Sequence, residues 1–377
     1  MFRFQFQHRQ NPLTVRSGYG AAVRFSLAAL VALPLLTAPL GIASLSVQAQ
    51  SSDPCPAADS AGCSFGLPTF SYQTLLAQML AHPTPNVRTL QVDENEITQY
   101  SFDRLVGGAT PMYDGPGGNQ VGSMDAGFNF VTVMARQGDY VEILPGKWTP
   151  SRYLQAAHAS EFTGVLIDKP LDFPMGWIVQ NAKPSVVPGA DPVPGTALVP
   201  RYTRVNLFAT KHVGQWDWFL IGPGQWVEQR HISRVLPAAQ PPDVKGRWIA
   251  VDLYEQVLTA YQDGQLVFAT LIASGLPQWD TNIGLFRIWS RSTSMAMSGA
   301  MGKPDFYSLQ AVPWVMFFDN DISLHGTYWH DGFGYKHSHG CVNMSITDAH
   351  WVFDWTNNFF SDTYVSVWTS APPASAA

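Results

Sequence analysis

Apolar and polar residues alternate with period two through the C-terminal third of the chain. Ile249, Val251 and Leu253 fall on one face, and further apolar runs cover Val257 to Tyr261 and Leu266 to Ile272. Such alternation predicts strands that lay one face on a core. Asp263-Gly264 between the second and third runs predicts a tight hairpin turn. More strands are predicted at Leu285 to Trp289, Trp314 to Phe318 and Ile322 to His325. One helix is predicted near the end: Ser345 can cap it, Asp348 is the acidic partner of a capping box, and Ala349, Val352 and Phe353 share a face.

From residue 90 to 236 the pattern is shorter, strand-like and broken by turns, and it contains an internal echo. Asp139-Tyr140-Val141-Glu142-Ile143-Leu144-Pro145-Gly146-Lys147-Trp148, followed by Arg152 and Leu154, aligns with Asp217-Trp218-Phe219-Leu220-Ile221-Gly222-Pro223-Gly224-Gln225-Trp226, followed by Arg230 and Ile232. Each copy predicts an aromatic-apolar strand, a Pro-Gly turn and a Trp opening the return strand. Trp148 and Trp226 read either as core residues of two small barrels or as an aromatic binding groove. Pro184 to Pro200 reads as a surface loop, and "LPAAQPPD" before residue 244 as a linker. Ahead of this region, Leu75, Leu76, Met79 and Leu80 have helical spacing, stopped by Pro83.

The first fifty residues carry Arg3, Arg9, Arg16 and Arg24 without an acid, then an apolar run from Phe25 to Val47 and a small-residue junction at Val47-Gln48-Ala49. That is the pattern of an export signal; Pro34 and Pro39 favour a cleaved signal over an uncleaved anchor. The organisation expected is therefore a signal at 1–49, a tether and short helix at 50–89, small β-barrel repeats at 90–157 and 158–236, a linker at 237–245, a catalytic domain at 246–369 and a tail at 370–377. The expected class is mainly β. The membrane enters only through the N-terminal segment, if it is uncleaved.

Composition agrees: 46% hydrophobic residues suffice for sizeable cores, and only 13% are charged. The net charge of -6, with no basic block, gives no reason to expect a nucleic-acid partner. Export also makes the 3 cysteines informative. Cys55 and Cys63 can pair in an oxidising compartment, which leaves Cys341 alone in the stretch His337-Ser338-His339-Gly340-Cys341-Val342-Asn343-Met344.

Three readings of that stretch compete. Zinc would recruit His325, His330, His337, His339 and Cys341, but no Cys-x-x-Cys or His-x-x-x-His grip is present, so no metal or other cofactor is expected. A structural role would make Cys341 a small buried apolar residue. A catalytic role needs a thiolate, a proton carrier and an oxyanion site. A neighbouring imidazolium or a helix N-terminus would favour the thiolate, and Gly340 would let a carbonyl approach backbone N–H groups beside Cys341.

His325-Gly326-Thr327, with twelve residues between His325 and Ser338, followed by Ser338-His339-Gly340-Cys341-Val342-Asn343, resembles the signature of the YkuD-type L,D-transpeptidases. "WIAVDLYEQVLTAYQDGQLV", "SGLPQWDTNIGLFRI" and "DAHWVFDW" resemble that family's opening strands, Thr-Pro-x-Gly-x-Phe strand and closing helix, with Asn282 where the family has Pro. The echoed hairpins resemble the tails of Src-homology-type small barrels found beside bacterial wall enzymes. The resemblance implies a β-rich cysteine acyltransferase. Cys341 would attack a peptidoglycan stem peptide after its third residue, release D-Ala and pass the acyl group to a neighbouring stem as a 3→3 cross-link. It further implies His325 as acid/base with His339 as the alternative, Ser338 orienting the imidazole, Gly340 and Cys341 supplying backbone donors, and Asn343 bracing the loop. Gly326, Thr327, Tyr328 and Trp329 would lie along the substrate side, His330 with Tyr328 and Trp329 would either line the acceptor side or pack, His337 would be a bystander, and Ser290 to Lys303 would be a flap. Carbapenem-type β-lactams would acylate the cysteine. An L,D-carboxypeptidase with the same thioacyl chemistry and an inactive wall-binding module are the alternatives.

Overall fold

The computed structural model describes Cys55, residues 62–98 and residues 102–372. The expected signal segment and the last residues of the tail lie outside the described residues. Cys55 and Cys63 form a disulfide, and Cys341 is the free cysteine.

Two seven-stranded sheets build the mainly β framework. In the first, the order is Gly284–Arg287, Tyr364–Trp368, Arg247–Asp252, Val257–Gln262, Gln265–Leu271, Val165–Leu166, Arg88–Thr89. Only the pairing of Arg247–Asp252 with Tyr364–Trp368 is parallel among those joining its C-terminal strands. The Asp263-Gly264 hairpin forms, both residues at positive φ (51° and 80°) as this tight turn requires. The second sheet runs Leu154–Ala157, Phe102–Leu105, Phe128–Thr132, Tyr307–Asp319, Ile322–Gly326, Val342–Met344, with Ser290–Gly299 paired to Tyr307–Asp319 as a long hairpin. Ile249, Val251, Leu258 and Phe268 from one sheet meet Met316, Phe318, Leu324, Val342 and Met344 from the other in one core. The helix Ile346–Thr356 adds Ala349, Val352 and Phe353 to it. Strand Arg247–Asp252 is buried on both faces rather than one, since Trp248 and Ala250 enter a second cluster with Tyr261.

The region before residue 246 holds sheets and cores of its own, a five-stranded sheet at residues 110–150 and two three-stranded sheets at 175–234, while other strands of it join the two large sheets. Val165–Leu166 extends the first sheet, and Phe128–Thr132 pairs in parallel with the flap hairpin through Phe128↔Tyr307 and Phe130↔Leu309. Strand edges exposed by the C-terminal part are thereby covered, which removes a pairing liability. Both echoed copies do share one local course of strand, turn, strand, 3-10 turn and strand: Tyr140–Leu144 to Leu154–Ala157, and Trp216–Gly222 to Ile232–Arg234. Trp226 is fully buried with Tyr72 and Met79, and its Nε1–H donates to the Phe65 carbonyl at 2.9 Å. Trp148 is half-buried. The early helix spans Thr69–Ala81 and docks on Trp226 with Tyr72 and Met79 while Leu80 faces solvent.

Ser345 caps the later helix by accepting the Asp348 N–H at 3.1 Å, a bond worth about 1 kcal/mol. Asp348 does not complete the box. Its buried carboxylate accepts from Gly164 N–H at 2.8 Å and Thr270 Oγ1 at 2.5 Å, tying the helix to the first sheet. Burial pushes this carboxyl up to about 6 despite those donors. The folded protein holds that proton to a pH where the unfolded chain has released it, so stability falls as pH rises from about 4 to about 6. Asp348→Asn, neutral throughout, should flatten that fall in urea unfolding measured across this window.

Candidate active site

Pairing of the last two strands of the second sheet builds the site. Ile322–Gly326 and Val342–Met344 run parallel, with Leu324 beside Val342 and His325 beside Asn343. Leu324, Val342 and Met344 enter the core, so alternation turns Ser323, His325, Cys341 and Asn343 to the other side. There His325, Cys341 and Asn343 line a cavity of about 330 Å³ together with Trp329, Ser338, His339 and His337. Other walls come from the flap (Met297, Pro304, Asp305, Phe306, Tyr307, Leu309) and from Gly127 and Phe128, well outside the motif.

Cys341 is half-buried, and its Sγ accepts the Ser323 N–H at 3.4 Å with Ser323 Oγ at 3.6 Å. Burial pushes the thiol above its ordinary range, outweighing the two contacts from Ser323, and nearby Asp321 adds to the rise. His325 is 2% exposed, and its Nδ1 lies 3.0 Å from the Gly326 carbonyl. An N–H donated there puts the lone pair on Nε2. Burial pulls this imidazole down to about 4, against the opposing pull of the carbonyl. At neutral pH the resting pair is thus thiol and neutral imidazole; the imidazolium expected to favour a thiolate is absent.

Ser338 does not orient an imidazole. Its hydroxyl donates to the Cys341 carbonyl and accepts the Gly340 N–H at 3.1 Å, closing the turn before the nucleophile. The Gly340 N–H is consequently engaged, which removes it as an oxyanion donor; the Cys341 N–H has no acceptor among the described residues. Gly340 is required for its backbone, at φ 112°, rather than for space. Thr281, which sequence reasoning did not single out, fixes the same turn: Oγ1 donates to the Gly340 carbonyl at 2.7 Å and accepts Gly275 N–H at 3.0 Å. Asn282 holds its loop by donating to Asp319 Oδ2 at 2.7 Å, a substitute for the rigidity of the expected Pro.

His339 sits elsewhere on the cavity wall, between the rings of Trp279 (5.1 Å) and Tyr307 (5.0 Å), with Nε2 3.6 Å from Asp305 of the flap. Trp329 lines the cavity with its ring 5.6 Å from that of His325. Tyr328 does not: it is buried, stacked on Phe102 at 3.6 Å, and its hydroxyl donates to the Gln310 carbonyl. The chain bends at Tyr328 and Trp329, past the end of strand Ile322–Gly326, and sends the first into the core and the second to the cavity wall. Thr327 is buried beside it, and a side chain at Gly326 would press on Pro313 (3.0 Å) and Ile346 (3.2 Å); neither lines the cavity. Asn343 exchanges two backbone bonds with Ala273, and its side chain meets His330.

The flap tip is clamped from outside the motif. Phe128 N–H donates to the Phe306 carbonyl at 2.9 Å, and a Cβ on Gly127 would lie 2.7 Å from that oxygen. Gly127→Val should displace the tip and slow acylation of the site by about 10²-fold with the fold intact; kinetics with a reactive acyl donor and flap proteolysis check this.

Residues 246–367 match the family model of the L,D-transpeptidase catalytic domain, YkuD. Among curated proteins, L,D-transpeptidase 1 of Mycobacterium tuberculosis is 28% identical over 196 residues, covering 48% of this chain and 77% of its own length. A solved L,D-transpeptidase from Stackebrandtia nassauensis is 26% identical with a TM-score of 0.28, covering 35% of this chain and 60% of that one. The catalytic domain of the E. faecium L,D-transpeptidase is 26% identical with a TM-score of 0.30, covering 33% of this chain and 99% of that domain. With its cysteine, two histidines and glycine in place within the matched span, the chain carries a YkuD-type L,D-transpeptidase catalytic domain at residues 246–367.

Proposed function

We propose that this protein is an exported, extracytoplasmic L,D-transpeptidase of the cell envelope that forms 3→3 cross-links in peptidoglycan through a Cys341 thioacyl-enzyme. The observation that carries this is the placement of Cys341 and His325 on one face of a parallel strand pair, lining one cavity, with His325 Nδ1 tied to the Gly326 carbonyl. His325 Nε2 removes the thiol proton as sulfur attacks the carbonyl after the third stem residue. The Cys341 N–H faces the developing oxyanion. The C–N bond then breaks, the proton passes from His325 to the leaving D-Ala amine, and the acyl group stays on sulfur. An amine from a second stem attacks the thioester, gives its proton to His325, and the thiolate leaves and is reprotonated. His339, paired to a flap carboxylate and wedged between two rings, suits a wall of the substrate cleft better than this shuttle. Closure of the flap excludes water and favours aminolysis over hydrolysis.

Incubation of the protein with tetrapeptide-stem muropeptides, followed by mass analysis, tests the proposal. Free D-Ala and a 3→3 dimer are expected. Tripeptide stems and D-Ala without dimer would make it an L,D-carboxypeptidase, and unchanged substrate with undiminished binding would leave a wall-binding module.

A further inference from the structure

His330 lies inside the motif gap, half-buried, and has no place in the shuttle above. Its Nδ1 accepts the Gly332 N–H at 2.9 Å, and its Nε2 lies 2.9 Å from the side-chain amide of Asn343. A neutral imidazole has one N–H and one lone pair. With the lone pair of Nδ1 taken by Gly332, Nε2 carries the hydrogen and needs an acceptor. As placed, Asn343 turns Nδ2 to the ring and leaves Oδ1 buried without a partner. The two ends of an amide have the same shape, and exchanging them gives Nε2–H its acceptor. The Nδ2 group then becomes the terminal atom without a protein partner, on a side chain 2% exposed that lines the cavity beside Cys341.

We propose that His330 is a positioning residue: as an Nε2–H imidazole it holds Asn343 Oδ1 and so presents the Asn343 Nδ2–H group as a donor to a substrate carbonyl at the Cys341 cavity. The inference rests on the thioacyl chemistry proposed above. The ring is itself held from outside the family match. Asp331, next in sequence, accepts at its carbonyl from Tyr202 Oη (2.8 Å), with its carboxylate 3.0 Å from the same hydroxyl oxygen, and its carboxylate accepts from Ser160 Oγ. Arg201 donates to the carbonyls of Asp331 (2.6 Å) and Phe333 (3.0 Å). Burial, then His337, His325 and Arg201, push the ring down to about 2, which keeps it neutral through the working range. A strand-rich segment that the catalytic motif does not include thus fixes a side chain of the reaction cavity through the path Arg201 and Tyr202, Asp331, His330, Asn343.

The test uses the full chain labelled with 15N-histidine, His330 being assigned from the His330→Gln spectrum. Long-range 1H–15N correlation should show His330 as the Nε2–H tautomer, unchanged from pH 8 to pH 5. His330→Leu, folded but with a lowered Tm, should slow acylation of Cys341 by a carbapenem about 10²-fold, and His330→Gln, which keeps a donor near Nε2, should recover most of the rate. Asn343→Asp keeps an acceptor for His330 but has no N–H for the cavity, and should be as slow as His330→Leu. An Nδ1–H tautomer, or full acylation rates in Asn343→Asp, would overturn the arrangement. A wild-type protein with the expected tautomer that is never acylated would instead overturn the functional reading on which it rests.

Discussion

Replacing Cys341 by Ala is expected to abolish acyl-enzyme formation while leaving the fold unchanged. The sulfur's contacts are the Ser323 N–H at 3.4 Å, Ser323 Oγ at 3.6 Å and the Asp321 carbonyl at 3.8 Å, weak bonds because sulfur is a poor donor and acceptor. Their loss costs on the order of 1 kcal/mol, a shift of a few degrees in Tm for a chain of this size. The chemistry has no substitute: the side chains beside Cys341 on that face are His325, Ser323 and Asn343, and the Ser323 hydroxyl is buried with no base of its own. The expected loss is at least about 10⁴-fold in turnover of muropeptides. Intact-mass measurement with a carbapenem should show one adduct on the wild type and none on Cys341→Ala. An adduct that survives the substitution would place the nucleophile elsewhere.

His325→Gln is expected to slow acylation by about 10² to 10⁴-fold, the usual worth of a general base, with no change in the amount of adduct finally formed. The resting state decides the form of the pH profile. Burial holds His325 down at about 4 and pushes the Cys341 thiol up, so neither group is charged between pH 5 and 8. Catalysed acylation should therefore stay level over that range and fall only below about pH 5, as His325 takes a proton. Alkylation by iodoacetamide, which consumes the thiolate alone, should be slow at pH 7 and rise with a midpoint above that of an ordinary thiol. A midpoint near or below 7 would show a preformed thiolate and imidazolium pair and would refute the neutral resting state.

That Cys341 and His325 share one cavity was legible in the sequence because the determinants are local. Gly340 marks a positive φ, Ser345 marks a helix start, and His325 sits on a predicted strand at a set distance from Cys341. Other roles were misread where a residue's partner is remote or its neighbour in space is backbone. Ser338 turned to its own turn instead of a ring, Asp348 to Gly164 and Thr270 instead of its helix, and Tyr328 to Phe102 instead of substrate. No local signal announces that Phe128–Thr132 would pair with Tyr307–Asp319, since parallel pairing across so long a separation depends on the whole fold. For the same reason Gly127 and Phe128 could not be found as walls of the cavity. His330 was legible only as a residue of the motif gap, since its partners Gly332 and Asn343 come together through the fold.

The central claim is that Cys341 takes the acyl group of a stem peptide as D-Ala leaves. Mixing the protein with a tetrapeptide-stem muropeptide in the absence of an acceptor amine, quenching in acid and mapping the digest by mass spectrometry tests it most directly. The account predicts a tripeptide-stem thioester on the peptide containing Cys341, with one D-Ala released for each acyl group held. Release of D-Ala with Cys341 unmodified at every quench time, and equal release by Cys341→Ala, would contradict it.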